Sequence, residues 1–382
     1  MRFENVPDTG NTDASSLLLP HQRKAVDHVR ETARGGRAEA RTTVRNILAR
    51  AGVGAGTLEE ALASLRAHGR IALHFHPERL SEKGQSVVQG LLQDGVYKNQ
   101  YETGLSSGSP TAFSGGDRDL WEKRLFGGAY HTARATPADR PKYGSVEIMD
   151  YPDGPSPRFG SCYLLLRPDV SGRSTFTWGG SQEDLAPERT GTLDELETVM
   201  AALLDEVREG HGALGVPGLT VAALLAHIAH PPDPDRDRST APLGRALDSF
   251  MEAQVHGTIR MARDVECIIA DPCFRGKQVE QVLLAICARY RLPLHWHPGF
   301  TLPVADVPDE FRGYPVRPLA ARIAGRGLLD AATIGAAANT LQLEPAAWKG
   351  WAEYDDILTQ FRRLWHMLVL YGRPNRAAQG AG

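Results

Sequence analysis

The sequence predicts an α+β fold: a strand-containing core over about residues 69–314, between helical segments at 1–68 and 315–382. Three observations lead there. Short apolar runs bounded by Gly, Pro or polar clusters recur at 70–76, 143–149, 161–167 and 251–259 and read as strands. Helix-period stretches occupy about 20–50 and most of the chain beyond 315. Around 265–297 strand-like and helix-like runs alternate in a βαβ-like order.

At 382 residues, 42% apolar and 23% charged, the chain sits in the ordinary globular range and can bury a core without disulfide or metal staples. A net charge of −3 gives no general pull toward nucleic acid or anionic membrane. The basic residues are mostly arginine, with lysine confined to Lys24, Lys83, Lys98, Lys123, Lys142, Lys277 and Lys349. Guanidinium grips phosphate and carboxylate with two prongs, which ammonium cannot do. Cys162, Cys267, Cys273 and Cys287 form no CxxC pair, so free thiols of a reducing compartment are expected. The polar stretch 1–16 lacks the apolar centre of a signal peptide, and no apolar run nears the roughly 18 residues of a membrane span. The expectation is a soluble cytoplasmic protein with no membrane partner and no strong sign of nucleic acid.

Taken in order, residues 1–16 read as disordered. A helix over about 20–50 carries many arginines on an exposed face. Thr57 and Glu60 suit a capping box for a second helix at about 58–68. Arg70–His76 is an apolar strand stopped by Pro77, and a helix at about 82–93 ends at Gly95. From Val96 to Gly128 the chain is rich in Gly, Ser and aromatic residues and reads as one long irregular segment, a type that often carries function. Strands follow at Tyr143–Met149, Ser161–Arg167 and Ser174–Trp178. Helices come at about 193–208, capped by Thr192 and Glu195, and at about 219–229. Residues 231–244 read as a flexible linker or exposed loop. Met251–Ile259 is a strand, and Val265–Ala270, 277–289 and Leu292–His297 make the βαβ-like unit.

Successive strand residues point to opposite faces, so Glu252, Gln254 and His256 share one face. An acid, an amide and an imidazole in a row fit the wall of a site, although an antiparallel strand with one wet face alternates in the same way. His74/His76 and His295/His297 are two HxH pairs on strands, each able to aim both rings at one metal. No HExxH, HxxEH or Asp/His series accompanies them, and hydrogen-bonded core imidazoles give the same pattern. Gly104, Gly108, Gly115 and Gly116 beside Arg118 would let the backbone approach a phosphate that the arginine neutralises; a mobile loop has the same composition. Arg140 ahead of Tyr143, and Arg158 ahead of Ser161, each precede a strand and suit an anion clamp or a solvent-facing position. A GxSxG elbow, an SxxK motif and a reactive-cysteine setting are all missing, so covalent hydrolase chemistry has no support.

The segments HFHPER (74–79), YETGLSSG (101–108), GGDRDLWEKRLFGGAYH (115–131), RPKYG (140–144), GPSPRFGSCY (154–163) and EAQVHG (252–257) resemble a family of bacterial proteins known only as a domain of unknown function, over about residues 70–315. The order of parts also resembles, more distantly, the ADP-ribosyltransferase fold. That family carries a histidine or arginine on an early strand, a tyrosine or serine on a middle one and a glutamate on a late one. His74 or His76, Tyr143 and Glu252 fall in that order. The resemblance implies an enzyme that cleaves or transfers at the nicotinamide N-glycosidic bond, with NAD as substrate, no metal and an undefined acceptor. It makes Glu252 the catalytic carboxylate, with His74 or His76 and Tyr143 holding the nicotinamide ribose. Arg118, Arg140 and Arg158, with Ser161, Gln254 and His256, become NAD contacts. Two departures stand out. Gln254 follows the glutamate, whereas arginine-modifying members have Gln or Glu two residues before it, and Ser174-Thr175-Phe176 matches their serine motif only loosely. The alternatives are a metal-dependent hydrolase using His74, His76, His295 and His297 with Glu252 as base, and a non-enzymatic binding protein whose polar strands are exposed.

Overall fold

A computed structural model describes residues 14–105, 111–231 and 237–375. Most of the 1–16 stretch, Gly108 and residues 232–236 of the 231–244 loop lie outside the described residues.

Eight strands build the central sheet: β1 Ile71–Phe75, β2 Lys142–Val146, β3 Cys162–Leu166, β4 Ser174–Trp178, β5 Thr190–Thr192, β6 Met251–Val255, β7 Val265–Ala270 and β8 Leu294–Trp296. Their spatial order is β8-β7-β3-β1-β2-β6-β4-β5. Every neighbouring pair is antiparallel except β7 and β8, which run parallel. A parallel pair needs a crossover, and the helix Gln278–Tyr290 supplies it, as the βαβ-like spacing anticipates.

Among the described residues ten α-helices of eight residues or more surround the sheet: α1 Pro20–Ala51, α2 Ala55–His68, α3 Val87–Asp94, α4 Asp117–Leu125, α5 Glu197–Glu209, α6 Val221–Ala229, α7 Gln278–Tyr290, α8 Arg317–Ala324, α9 Ala331–Leu343 and α10 Tyr354–Tyr371. The fold is therefore α+β, with helical segments at both ends of the chain. α1 packs on α5, α2 on α6 and α3 on α7. The buried residues of α1 include Val29, Ala33, Ala40, Val44, Ile47 and Leu48, which recur at helical spacing and form one stripe. Gly52, in the left-handed region at φ 67°, ends that helix.

The two faces of the sheet differ in chemistry. One carries Ile71, Leu73, Phe75, Val146, Leu164, Leu166, Phe176, Trp178, Ala253 and Val255, all within the main apolar core. The other is polar across β2, β6, β4 and β5. Among the described residues no helix is long and apolar enough to cross a membrane.

Local signals misplace several boundaries. α2 starts at Ala55 with Gly54 as its cap, so Thr57 lies inside the helix. The expected helix at 82–93 starts at Val87, because Ser86 and Gln89 close a capping box there. Thr192 ends β5 instead of capping α5, and the Glu195 carboxylate is taken by Arg34 and Arg37 of α1. The segment expected to be irregular at 96–128 contains α4, whose Asp117 and Asp119 open it and Lys123 and Arg124 close it, in keeping with the helix dipole. The strand expected over 251–259 stops at Val255. The chain turns at Gly257, φ 80°, and Ile259–Arg260 pairs instead with Val96–Tyr97.

The β3 edge of the core depends on a close approach. A Cβ at Gly160 would collide with the backbone of Phe75, which cannot swing aside as a side chain can. Gly160→Ala is expected to lower the unfolding free energy by about 1–3 kcal/mol, the usual cost of overpacking. Urea unfolding reads the change, and an unaltered midpoint would show that β1 and the 157–161 turn tolerate separation.

Candidate functional site

Directly paired residues of an antiparallel ladder present their side chains on the same face. Ser145 pairs with Glu252, and Glu252 with Thr177; Tyr143 pairs with Gln254, and Gln254 with Thr175. Ala72 pairs with Ser145, which places Ala72 and, two residues on, His74 on that same face. His74, Tyr143 and Glu252 thus share one face of three adjacent strands. The ladder between β1 and β2 consists of Ile71/Val146 and Ala72/Ser145. At the level of His74 the strands are unpaired, and the Tyr97 hydroxyl donates to the His74 carbonyl at 3.4 Å.

Behind Glu252 runs a chain of buried side-chain hydrogen bonds. Tyr130 Oη lies 2.5 Å from His256 Nδ1, and His256 Nε2 lies 3.2 Å from Thr175 Oγ1. Thr175 Oγ1 donates to Gln254 Oε1 at 2.7 Å, and Gln254 Nε2 donates to Glu252 Oε1 at 2.9 Å and to Thr177 Oγ1 at 3.0 Å. Because the threonine proton goes to Gln254, the network assigns the imidazole proton to Nε2, and Nδ1 accepts from the tyrosine. Burial, followed by the fields of Arg173 and Lys142, holds the His256 pKa at about 3, so the ring is neutral at ordinary pH. Glu252 also accepts from the Ser181 amide at 3.3 Å. Burial pushes its pKa up, against the opposing pull of the Ser181 and Gln254 hydrogen bonds and of the Arg118 charge.

A second network forms the front of the site. Tyr143 Oη donates to Glu122 Oε1 at 2.9 Å, and Arg140 pairs with Glu122 at 2.8 Å and with Asp119 at 2.5 Å. Arg118 lies over the Tyr143 ring at 4.5 Å and over the Trp121 ring at 5.2 Å. Its Nε is buried without a hydrogen-bond partner among the described residues. Tyr143, Arg118 and Trp121 are all half-buried, so this end of the polar face reaches the surface.

A family model described as "Protein of unknown function (DUF3626)" matches residues 70–371. The chain belongs to that family. No curated protein matches it at a significant level. The DUF3626 span opens one residue before β1 and closes with the last residue of α10, so it takes in the whole sheet and the C-terminal helices.

Other residues expected to contact the ligand in this DUF3626 protein are engaged within the protein or lie elsewhere. His76 follows the end of β1, and its ring meets Trp365 edge-on at 5.1 Å. Arg140 spends its charge on Asp119 and Glu122, so it orders α4 against β2 instead of facing an anion. Arg158 pairs with Asp248 at 2.5 Å, away from this face. Ser161 lies at the foot of β3, three strands from β6; its carbonyl accepts from His297 Nε2 at 2.9 Å. Both amide hydrogens of Gln254 and both ring nitrogens of His256 are taken by protein partners, so the two residues act on Glu252 from behind. The four imidazoles of the two HxH pairs do not meet at one point, since His76 packs on Trp365. His295, on β8, stands three strands from His74, roughly 14 Å at ordinary strand spacing, whereas His297, past the end of β8, comes near His74, the two rings bonding the adjacent carbonyls of Ser161 and Gly160. His297 also has both nitrogens engaged, Nε2 with Ser161 and Nδ1 with the Gly299 amide at 3.0 Å. Among the described residues no three His, Cys, Asp or Glu side chains are placed to hold a metal ion.

Sequence reasoning missed Tyr130, Glu122 and Trp121, whose meaning depends on α4 lying over β2, and Glu78. The Glu78 carboxylate is buried 3.9 Å from His76 Nδ1, with neither oxygen hydrogen-bonded among the described residues. Burial pushes its pKa from 4.5 up to about 7.

Two outcomes follow. Tyr130→Phe leaves His256 Nδ1 buried without a donor and is expected to cost about 1–3 kcal/mol of stability, read by urea unfolding. Folded Glu78 keeps its proton to about pH 7, whereas the unfolded carboxyl loses it near 4.5. The folded state therefore binds more protons between those values, and the stability from this group is lost as pH rises through that window. Relative to Glu78→Gln, the parent should lose up to about 3 kcal/mol between pH 4.5 and 8. A constant difference across that range would contradict the protonated assignment.

Proposed function

We propose that this DUF3626 protein is an ADP-ribosyltransferase-like enzyme that acts at the nicotinamide N-glycosidic bond of NAD. The observation that carries the reading is the meeting of His74, Tyr143 and Glu252, in that chain order, on one face of the adjacent strands β1, β2 and β6. The unpaired stretch between β1 and β2 at His74 supports it, because it leaves backbone groups beside His74 that are not committed to the ladder between these two strands. So does the unpartnered, buried His74 Nε2, the atom that would meet a ribose hydroxyl. His74 Nδ1 is held 3.1 Å from the Gly160 carbonyl, and burial, offset by that hydrogen bond, sets its pKa at about 3, so the ring is neutral. Gly154 lies against His74 Nε2, so entry of NAD requires the 151–156 segment to move aside.

In this reading the C1′–N bond breaks with its electron pair going to the nicotinamide nitrogen, which loses its positive charge. Positive charge then develops on the ribose, and the Glu252 carboxylate stabilises it. An acceptor lone pair forms the new bond at C1′, and the acceptor proton passes to Glu252 or to water. Ionised Glu252 is required, although burial favours its neutral form; Arg118 and the amide donors of Ser181 and Gln254 offset that preference. Arg118, stacked on Tyr143, is the guanidinium available for the pyrophosphate.

Glu252→Gln keeps the shape and removes the charge. NAD turnover, followed by nicotinamide release, is expected to fall by about 10²–10³ with the fold intact. Turnover equal to the parent's would remove Glu252 from the chemistry. NAD at about a hundred times its dissociation constant should add roughly 2.7 kcal/mol to unfolding, seen as a rise in Tm that an unrelated nucleoside does not give. No rise at millimolar NAD would count against the substrate assignment.

A further inference from the structure

We propose that Arg158, Arg312 and Arg363 form a second anion site, built for the phosphate group of a small phosphorylated ligand. Arg158 stands in the turn Pro157–Phe159, Arg312 in the turn between Glu310–Phe311 and Tyr314–Pro315, and Arg363 on α10. Arg158 and Arg312 converge on one carboxylate, Asp248, just ahead of β6. Arg158 Nη1 lies 2.5 Å from Asp248 Oδ1, and Arg312 meets both oxygens, Nη1 at 3.3 Å from Oδ1 and Nη2 on Oδ2. The Arg363 guanidinium lies 5.6 Å over the Tyr314 ring. Among the described residues neither Arg363 nor its neighbour Arg362 has an ion-pair partner. Three guanidiniums against one carboxylate leave two positive charges, the complement of a phosphate dianion.

Two further features mark a place kept for an anion. Among the described residues the Nε atoms of Arg158 and Arg363 are buried without hydrogen-bond partners, and so are both ring nitrogens of His366, which is 1% exposed. Burial, followed by the charges of Arg158, Arg312 and Arg363, holds the His366 pKa at about 3, so the ring adds no charge of its own and can donate one N–H. Like charges gathered this way repel one another unless an anion joins them, and the planar fork of arginine matches phosphate oxygens two at a time. Asp248 is 53% exposed. A half-exposed ion pair of that kind is weak, so an incoming phosphate can displace it. The positive cluster is local in a chain of net charge −3, which suits a small ligand better than the extended track that nucleic acid needs. No described hydrogen bond or ion pair links these residues to Glu252, Tyr143 or Arg118, so the inference stands apart from the NAD reading.

Calorimetric titration of the full chain with inorganic phosphate, at constant ionic strength held by chloride, tests the site. The parent should bind, and Arg312→Gln or Arg363→Gln should weaken binding roughly tenfold, as expected for loss of one charge-assisted contact. Asp248→Asn should tighten it, because the competing carboxylate is gone. Arg118→Gln should leave it unchanged, which separates this site from the proposed NAD site. The inference is overturned by absence of binding at millimolar phosphate in both the parent and Asp248→Asn. It is equally overturned if both arginine variants bind like the parent, or if Arg118→Gln alone abolishes binding.

Discussion

The register of β2 between β1 and β6 decides which side chains of this protein can meet. Because side chains alternate along a strand, a slip of one residue would turn Tyr143 and Ser145 into the apolar core and bring Gly144 to the polar face. Gly144 blocks that exchange sterically, since its missing side chain makes room for the Ala72 carbonyl and for Leu73 and Ile71 of the neighbouring strand. With the register fixed, Glu252 faces Ser145 on one side and Thr177 on the other, and the rest of the polar face follows.

A sheet face of buried threonine, glutamine, histidine and glutamate is an expensive surface for a core unless its polar atoms are paired. Here most are paired with one another. The sequence of donors from Tyr130 through His256, Thr175 and Gln254 ends on one oxygen of Glu252, so the carboxylate is aimed by a chain of four residues and not by one neighbour. Phe126 sets its ring edge-on to His256, and its helix-end neighbours Ala129 and Tyr130 pack on Ala25 and Val29 of α1. The N-terminal helix, which lies outside the DUF3626 span, thereby supports the group at the centre of the proposed chemistry.

Much of this was legible in the sequence because it depends on period alone. Glu252, Gln254 and His256 do share a face, Val265–Ala270 is a strand followed by a crossover helix, and Ser174–Trp178 is a strand with those boundaries. What period cannot show is which element covers a face. Arg140 and Arg158 look alike as arginines ahead of strands, yet one is neutralised by α4 and the other by Asp248, partners 18–21 and 90 residues away along the chain. His76 looks equivalent to His74 until the strand ends at Phe75 and Trp365 takes its ring. α4 was hidden because glycine-rich flanks on both sides masked a nine-residue helix with only a weak apolar stripe.

The most direct test of the account is a crystal structure of the Glu252→Gln variant, which should not turn over substrate, soaked with NAD. The account predicts the nicotinamide riboside between β1 and β2, with Tyr143 beside the nicotinamide, residue 252 facing the ribose C1′, His74 Nε2 on a ribose hydroxyl and the 151–156 segment displaced. NAD bound on another face of the sheet, or a polar face left unchanged at saturating NAD, would contradict it.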